Sequence, residues 1–354
     1  MRIIDRYLAW SVISGTLLTL GILLPLLGVV ILADEINAIG VERYGLADAL
    51  LFMLLSLPRY AYQIFPIATL IGALIGLGAL ASRSELVAMR AAGLSVWRIV
   101  RAGLMGGLLL AAFAVLIGEV VAPLTEQRGV ELRRQALSGD VAQQTPDGFW
   151  AIDDETYVNI REIRSGTSLR DIFIYRVDPI QGSLIATHAA GASYRDGHWE
   201  LEEIARSRVS AAGVEVERIA RAGWDSLLDP GLLKVVVANP HALPVWGLYK
   251  YIRFMAINKQ DAGAYEVAFW GKVVHPVLTL SMILIATPLL LGSSRSAGMG
   301  RRIFAGVLVG ILYYLVSRTF AYLALLFGMN PFVAAIAPPL LFVSGALLLL
   351  RRVG

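Results

Sequence analysis

The sequence contains no cysteine, which removes disulfide staples, thiolate nucleophiles and Cys-ligated metals from consideration. Histidine is nearly as scarce. His188, His198, His241 and His275 form no H-E-x-x-H pair and no ligand cluster, so they read as structural and no metal site is expected. A G-x-x-x-x-G-K-[ST] phosphate loop is missing, so the chain does not bind ATP that way. A G-x-S-x-G nucleophile elbow is missing too, and no catalytic residue is expected. Charge is short: 16% of residues carry one, against roughly a quarter in a soluble protein. Apolar residues fill the space, at 57% with mean hydropathy +0.66. The net charge of +4 is small, and its placement says more than its size. Nothing points to nucleic acid.

The apolar excess lies in long runs at both ends and leaves the middle polar. About 20 apolar residues cross a ~30 Å hydrocarbon core. Six segments qualify, near 11–33, 60–81, 100–121, 267–291, 303–327 and 332–350. The run from Ser11 to Ala33 is too long for a signal-peptide core and reads as a retained first span. Pro58 and Pro66 predict kinks or a broken start to the second. Gly72-x-x-x-Gly76 and Gly306-x-x-x-Gly310 permit close helix contact, for which packing within the chain is explanation enough.

Orientation follows from Lys and Arg in short loops. One set of span ends carries Arg2, Arg6, Arg83, Arg90, Arg98, Arg101, Arg295, Arg301, Arg302, Arg351 and Arg352. The opposite loop from Asp34 to Arg59 has only Arg43 and Arg59, against Asp34, Glu35, Glu42 and Asp48. Both termini are therefore expected in the cytoplasm and the insert from 124 to 263 outside it. That insert reads as β: Thr156 to Arg161 alternates, Ile172 to Val177 is β-branched and aromatic, and Asp196-Gly197 is a hairpin signal. Val209 to Ile219 and Val235 to Val237 add strand-like runs. An antiparallel sandwich or jelly roll is predicted, followed by an amphipathic helix over Val245 to Lys259 at the outer membrane surface. The organisation expected is 1–123 with three spans, 124–263 with the β domain and interfacial helix, and 264–354 with three more.

The segment from Ser82 to Ser95 has a capping-box pattern in Ser82 and Glu85 and a stop in Gly93. A helix of two to three turns in a cytoplasmic loop is either a plain connector or a docking element for a partner. Its docking candidates are Glu85, Leu86, Met89 and Arg90. At the other side Arg59, Arg128, Arg133 and Arg134 break the positive-inside trend. Guanidinium groups bind phosphate bidentately, so Arg59, Arg133 and Arg134 are candidates for an anionic lipid headgroup. The alternatives are snorkelling and pairing with Glu126 and Glu131. Lys272 lies inside the fourth span, where a lysine is a candidate site residue; snorkelling outward is its plain reading.

These residues fall into strings that resemble the lipopolysaccharide-export permeases of the LptF/LptG family, the G-type side most closely. The strings are Asp5-Arg6-Tyr7, Arg83-Ser84-Glu85-Leu86-Val87 with Ala92-Gly93, Gly118-Glu119 with Val121-Ala122-Pro123, Gly148-Phe149-Trp150-Ala151, Gln260-Asp261-Ala262-Gly263 and Pro276. The resemblance implies an inner-membrane, multi-pass permease without catalysis of its own. It implies an F-type permease partner, two copies of a cytoplasmic ABC ATPase that hydrolyses ATP with Mg, a periplasmic β-jelly-roll bridge, a single-span accessory subunit, and lipopolysaccharide as cargo. It places Glu85 at the ATPase contact and Arg59 and Arg133 on the lipid cavity. The sequence departs where some relatives carry lysines near the end of the first span and this chain has Ile31, Asn37 and Ala38. Two other readings stand beside it: a mechanotransmission scaffold whose spans admit no lipid, and an intramembrane lipid enzyme using Asp34 or Glu35.

Overall fold

The structure is a computed structural model that describes residues 3–137, 143–153, 156–165, 167–178, 183–195, 198–210, 213–224, 243–257, 261–291 and 299–353. It divides into two compact units, Met1–Leu137 with Gly263–Gly354 and Ser138–Ala262. The first is helical and the second is built on a β-sheet.

The helical unit contains α1 (Ile3–Glu35), α2 (Leu46–Ser82), α3 (Glu85–Ala91), α4 (Val96–Leu116), a π-helical turn (Ile117–Val121) and α5 (Ala122–Leu137). After the insert come α7 (Gly263–Leu291), α8 (Met299–Phe327) and α9 (Pro331–Val353), α6 being part of the other unit. Among the described residues six helical segments are long and apolar enough to span a membrane: α1, α2, the run Val96–Leu137, α7, α8 and α9. This is the polytopic architecture expected from the hydropathy, with an antiparallel β domain inserted. Two local expectations change. Pro58 and Pro66 lie inside α2, which runs unbroken from Leu46 to Ser82. The third span continues through the π turn into α5, so position 124 falls within a helix and the units divide at Ser138.

Small residues set the tightest helix seam. A Cβ on Gly15 would run into the Gly72 carbonyl, one on Gly72 into the Thr16 backbone, and one on Gly76 into the Ser11 carbonyl. With no side chain between them, the α1 and α2 backbones touch, and Ser11 Oγ donates to the Gly76 carbonyl at 3.0 Å. The second motif works more loosely: a Cβ on Gly306 of α8 would meet the end of the Leu74 side chain. Around this seam Leu8, Val12, Phe65, Leu74, Leu77, Ile99, Met282 and Ile283 form the helical core.

Among the described residues of the β unit six strands pair in chain order as an antiparallel meander: β1 (Gln143–Asp153), β2 (Thr156–Ser165), β3 (Ser168–Asp178), β4 (Ser183–Arg195), β5 (His198–Ser210) and β6 (Gly213–Trp224). Every strand neighbours its successor, so the described strands contain no Greek-key crossing. Tyr194 pairs with Trp199 and Arg195 with His198, so the expected hairpin forms; Asp196 and Gly197 lie outside the described residues. The run Val209 to Ile219 splits between β5 and β6, and Val235 to Val237 also lie outside the described residues. Val158, Ile160, Ile172, Trp199, Leu201 and Ile204 make the core. The helix α6 (Val245–Ile257) buries Leu248 and Tyr251 and exposes Lys250 and Arg253.

Candidate functional site

At one end of the helical unit the chain turns from α2 through α3 into α4. Ser82 and Glu85 do not form the expected capping box: Ser82 Oγ donates to the Ala79 carbonyl, and the residue before the helix is Ser84, in a left-handed conformation at φ 60° with no side-chain cap. The reason is length. The first N–H groups of α3 follow a sharp reversal that leaves Ser82 still in the last turn of α2. The other end forms as expected. Gly93, at φ +88°, donates to the Arg90 carbonyl and Leu94 to the Met89 carbonyl, the paired bonds of a Schellman stop. Leu86 is buried, Met89 packs partly on the core, and Val87 and Arg90 face outward. Glu85 accepts a hydrogen bond from Tyr7 at 2.8 Å, and Asp5, buried, pairs with Arg98 at 3.1 Å. So α3 and the first turn of α4 are each tied to the beginning of α1, by contacts between residues 78 and 93 positions apart.

The opposite end is built where α5, continuing the third span, runs along the first half of α2. Gly129 is buried against Phe52 and Leu55, which lets the helices close. Two turns apart on α5, Glu126 lies 3.1 Å from Arg59 and Arg133 lies 3.0 Å from Glu35 at the end of α1. Arg133 Nε donates to both Glu35 oxygens, and its guanidinium stands 5.8 Å from the Phe52 ring. The Arg59–Glu126 pair is close but not aligned as a hydrogen bond, and Arg59 also lies over Tyr60, 4.6 Å from the ring centre. Arg133 remains 41% exposed along its side chain while Glu35 is nearly covered. Beside Glu35 in the loop, burial first and the Glu35 carboxylate second push the Tyr44 phenol up to about 12, so it stays a neutral hydroxyl at physiological pH. Arg134 follows Arg133 on α5; its side chain is outside the description. Arg128 faces outward.

Lys272 is placed differently. Its ammonium turns inward to Glu119 at 3.0 Å and the Gly118 carbonyl at 3.2 Å, both in the π turn. The side chain is 9% exposed, so it does not snorkel. The pair sits beside Tyr62, on which His275 stacks at 3.9 Å, with His275 Nε2 3.0 Å from the Tyr62 carbonyl. His275 is thus part of the packing, and His188 is held by Asp171 at 2.7 Å. Among the described residues no group of acidic or imidazole side chains could hold a metal ion. An apolar groove of about 460 Å³ runs between α4, α7 and α9, lined by Leu104, Met105, Leu108 and Leu280 with Arg101 at one end; Arg59 and Arg133 do not line it.

The sequence singled out the cations but not their carboxylates. Glu126 is the exception, a partner the nearby sequence offers, whereas Glu35 and Glu119 pair across 98 and 153 positions, beyond any local pattern. The usable signal was the clustering of Asp5, Tyr7, Glu85 and Glu119 within the strings that carried the resemblance.

Residues 6–352 match the family described as lipopolysaccharide export system permease LptF/LptG. The lipopolysaccharide export system permease protein LptG of Haemophilus influenzae is 34% identical over 351 residues, covering 99% of this chain and 98% of that protein. Its Escherichia coli K12 counterpart is 31% identical over 353 residues, with the same coverage of both. The match runs through both compact units and includes both ends of the helical unit described above, and the chain belongs to the LptF/LptG family of lipopolysaccharide export permeases.

Proposed function

We propose that this chain is the G-type membrane subunit of an ATP-driven exporter, which takes lipopolysaccharide from the outer leaflet of the inner membrane and passes it to a periplasmic bridge. Family membership supports the cargo and the class of machine. The observation that carries the reading is the pair of arginines, Arg59 and Arg133, each set against a carboxylate at one end of an apolar helical unit. A headgroup phosphate competes with those carboxylates. It replaces Glu126 on Arg59, where the existing contact is poorly aligned, and joins Arg133 on its exposed flank. Guanidinium near a low-dielectric boundary favours such an exchange. Lys272 is already committed to Glu119 and Gly118, so the headgroup reading rests on the arginines. The acyl chains lie against apolar helix faces, and an F-type partner completes the cavity that one chain leaves open.

Co-purification from membranes with mass spectrometry of bound lipid and protein tests this. Lipopolysaccharide, an F-type permease and an ABC ATPase are the expected companions. A complex with both proteins but no lipopolysaccharide would favour the scaffold reading. Orientation has its own check in single cysteines, since the chain has none. In intact spheroplasts an impermeant thiol reagent is expected to label Arg195→Cys in the β unit and spare Ser95→Cys before α4. The reverse pattern would overturn the topology.

ATP enters through the partner, and α3 is its docking element in this proposal, with Glu85, Leu86, Met89 and Arg90 at the contact. Glu85→Lys reverses the charge at the start of α3 and also breaks the Tyr7 hydrogen bond, and is predicted to prevent pull-down of the ATPase. Tyr7→Phe removes only the internal bond and is expected to keep the ATPase bound. Equal loss in both variants would make Glu85 an internal anchor rather than a docking residue.

A further inference from the structure

The run Val96–Leu137 is one helical segment of 42 residues interrupted by the π turn. A π turn bonds i to i+5 and so holds one more residue than an α turn. Every later residue is therefore set back by one helical position, a rotation of about 100°. Such turns are rare and need something to hold them. Here Lys272, on α7, grips the turn through Glu119 at 3.0 Å and the Gly118 carbonyl at 3.2 Å. Both side chains are largely covered, in an apolar surrounding where separated charges are unfavourable. Gly118 has no room for a Cβ because the Tyr62 ring lies on it.

We propose that Lys272 and Glu119 are positioning residues that hold the π turn, and that the turn sets which face of α5 meets α1 and α2. With the turn in place Gly129 faces Leu55, Glu126 faces Arg59 and Arg133 faces Glu35. An α-helical path through residues 117–121 brings Arg128 to the place of Gly129, Thr125 to that of Glu126 and Leu132 to that of Arg133. Both arginine pairs are then lost in one movement. The consequence for lipid rests on the headgroup reading proposed above, whereas the register itself does not.

Disulfide trapping in the assembled complex reads the register directly, because the parent chain is free of cysteine. A Cβ at Gly129 lies 3.3 Å from Leu55 Cβ, close to the ~3.5–4.5 Å between Cβ atoms in a disulfide. Leu55→Cys with Gly129→Cys is expected to bridge, and Leu55→Cys with Arg128→Cys at least about tenfold less, since Arg128 is turned away by the ~100° step. The charge-free variant Lys272→Met with Glu119→Gln is expected to move bridging from 129 to 128, while Lys272→Arg keeps it at 129. Deleting Val120 in the charge-free background removes the extra residue, makes the turn α-helical without shifting α5, and is expected to return bridging to 129. Unchanged bridging at 129 in the charge-free variant overturns the proposal. If that variant fails to assemble, the Val120 deletion decides: recovery with bridging at 129 supports the lock, and no recovery overturns it. A register shift with unchanged bound lipid upholds the lock and removes the arginines from the headgroup site.

Discussion

Gly72→Leu is expected to abolish assembly of the helical unit. The Gly72 Cα faces the Thr16 backbone, and the opposing Gly15 is pressed to the Gly72 carbonyl, so no rotamer accommodates a side chain. Backbone has to move apart along the whole α1–α2 seam, and the Ser11 bond to Gly76 goes with it. Overpacking of this kind costs about 3 kcal/mol or more. Gly306→Ala supplies the contrast within the same G-x-x-x-G spacing. Its Cβ meets only the end of the Leu74 side chain, which can turn aside, and the expected loss is below about 1 kcal/mol. Thermal unfolding of the purified complex, followed by size-exclusion recovery, checks both. A Gly72→Leu complex melting within about 1 °C of the parent, a difference of under about 1 kcal/mol at this chain length, would show that the seam is not in close backbone contact.

Arg59→Gln combined with Arg133→Gln is expected to lower lipopolysaccharide affinity about a hundredfold. Each charge-assisted hydrogen bond is worth roughly 1.5–3 kcal/mol, and about 1.4 kcal/mol is a factor of ten. Glu126 and Arg133 stand two turns apart on α5, about 10 Å, far enough for the two losses to add nearly independently. The arginines also neutralise Glu126 and Glu35, so a fall in lipid alone would be ambiguous. Adding Glu126→Gln and Glu35→Gln removes the stranded carboxylates, restores stability and leaves lipid binding impaired if the arginines hold the headgroup. Photo-crosslinked lipid and lipid-stimulated ATPase activity, with assembly checked by co-purification, give the readout. Full occupancy in the assembled double variant would assign the arginines to helix anchoring alone.

How much of this was legible in advance depended on range. The six spans follow from hydropathy, a property of each segment by itself, and their existence came through cleanly. So did the Gly93 stop, whose positive φ is a local demand, and the Asp-Gly hairpin, flanked by paired Tyr194 and Trp199. Boundaries were harder. Pro58 and Pro66 argued for kinks or a broken start, and of these the break does not occur: α2 runs through both, supported by neighbours on the α1, α5 and α7 sides. The capping-box reading of Ser82 and Glu85 matched a pattern that a tight reversal at Ser84 overrode. At the candidate site each cation was identifiable because its location was unusual. Its counter-ion was not, because pairing of Arg133 with Glu35 or Lys272 with Glu119 is decided only when distant helices pack. The π turn was hidden entirely, since one additional residue per turn leaves no mark on composition.

The joints around α3 carry a mechanical consequence. Only Arg83 and Ser84 separate it from α2, and Ala92 to Ser95 separate it from α4. Both joints are hydrogen-bonded, through Ser84 to Ala81 on one side and through Gly93, Leu94 and the Ser95 cap on the other. A linkage of this kind has little slack. A displacement imposed on α3 from outside is not absorbed by loop compliance, and it reaches the ends of two long helices almost undiminished, with the Asp5–Arg98 pair carrying a share of the strain to a third. Lengthening either joint with glycines would turn a stiff crank into a soft spring, leaving binding to α3 intact while its motion died out before reaching the spans.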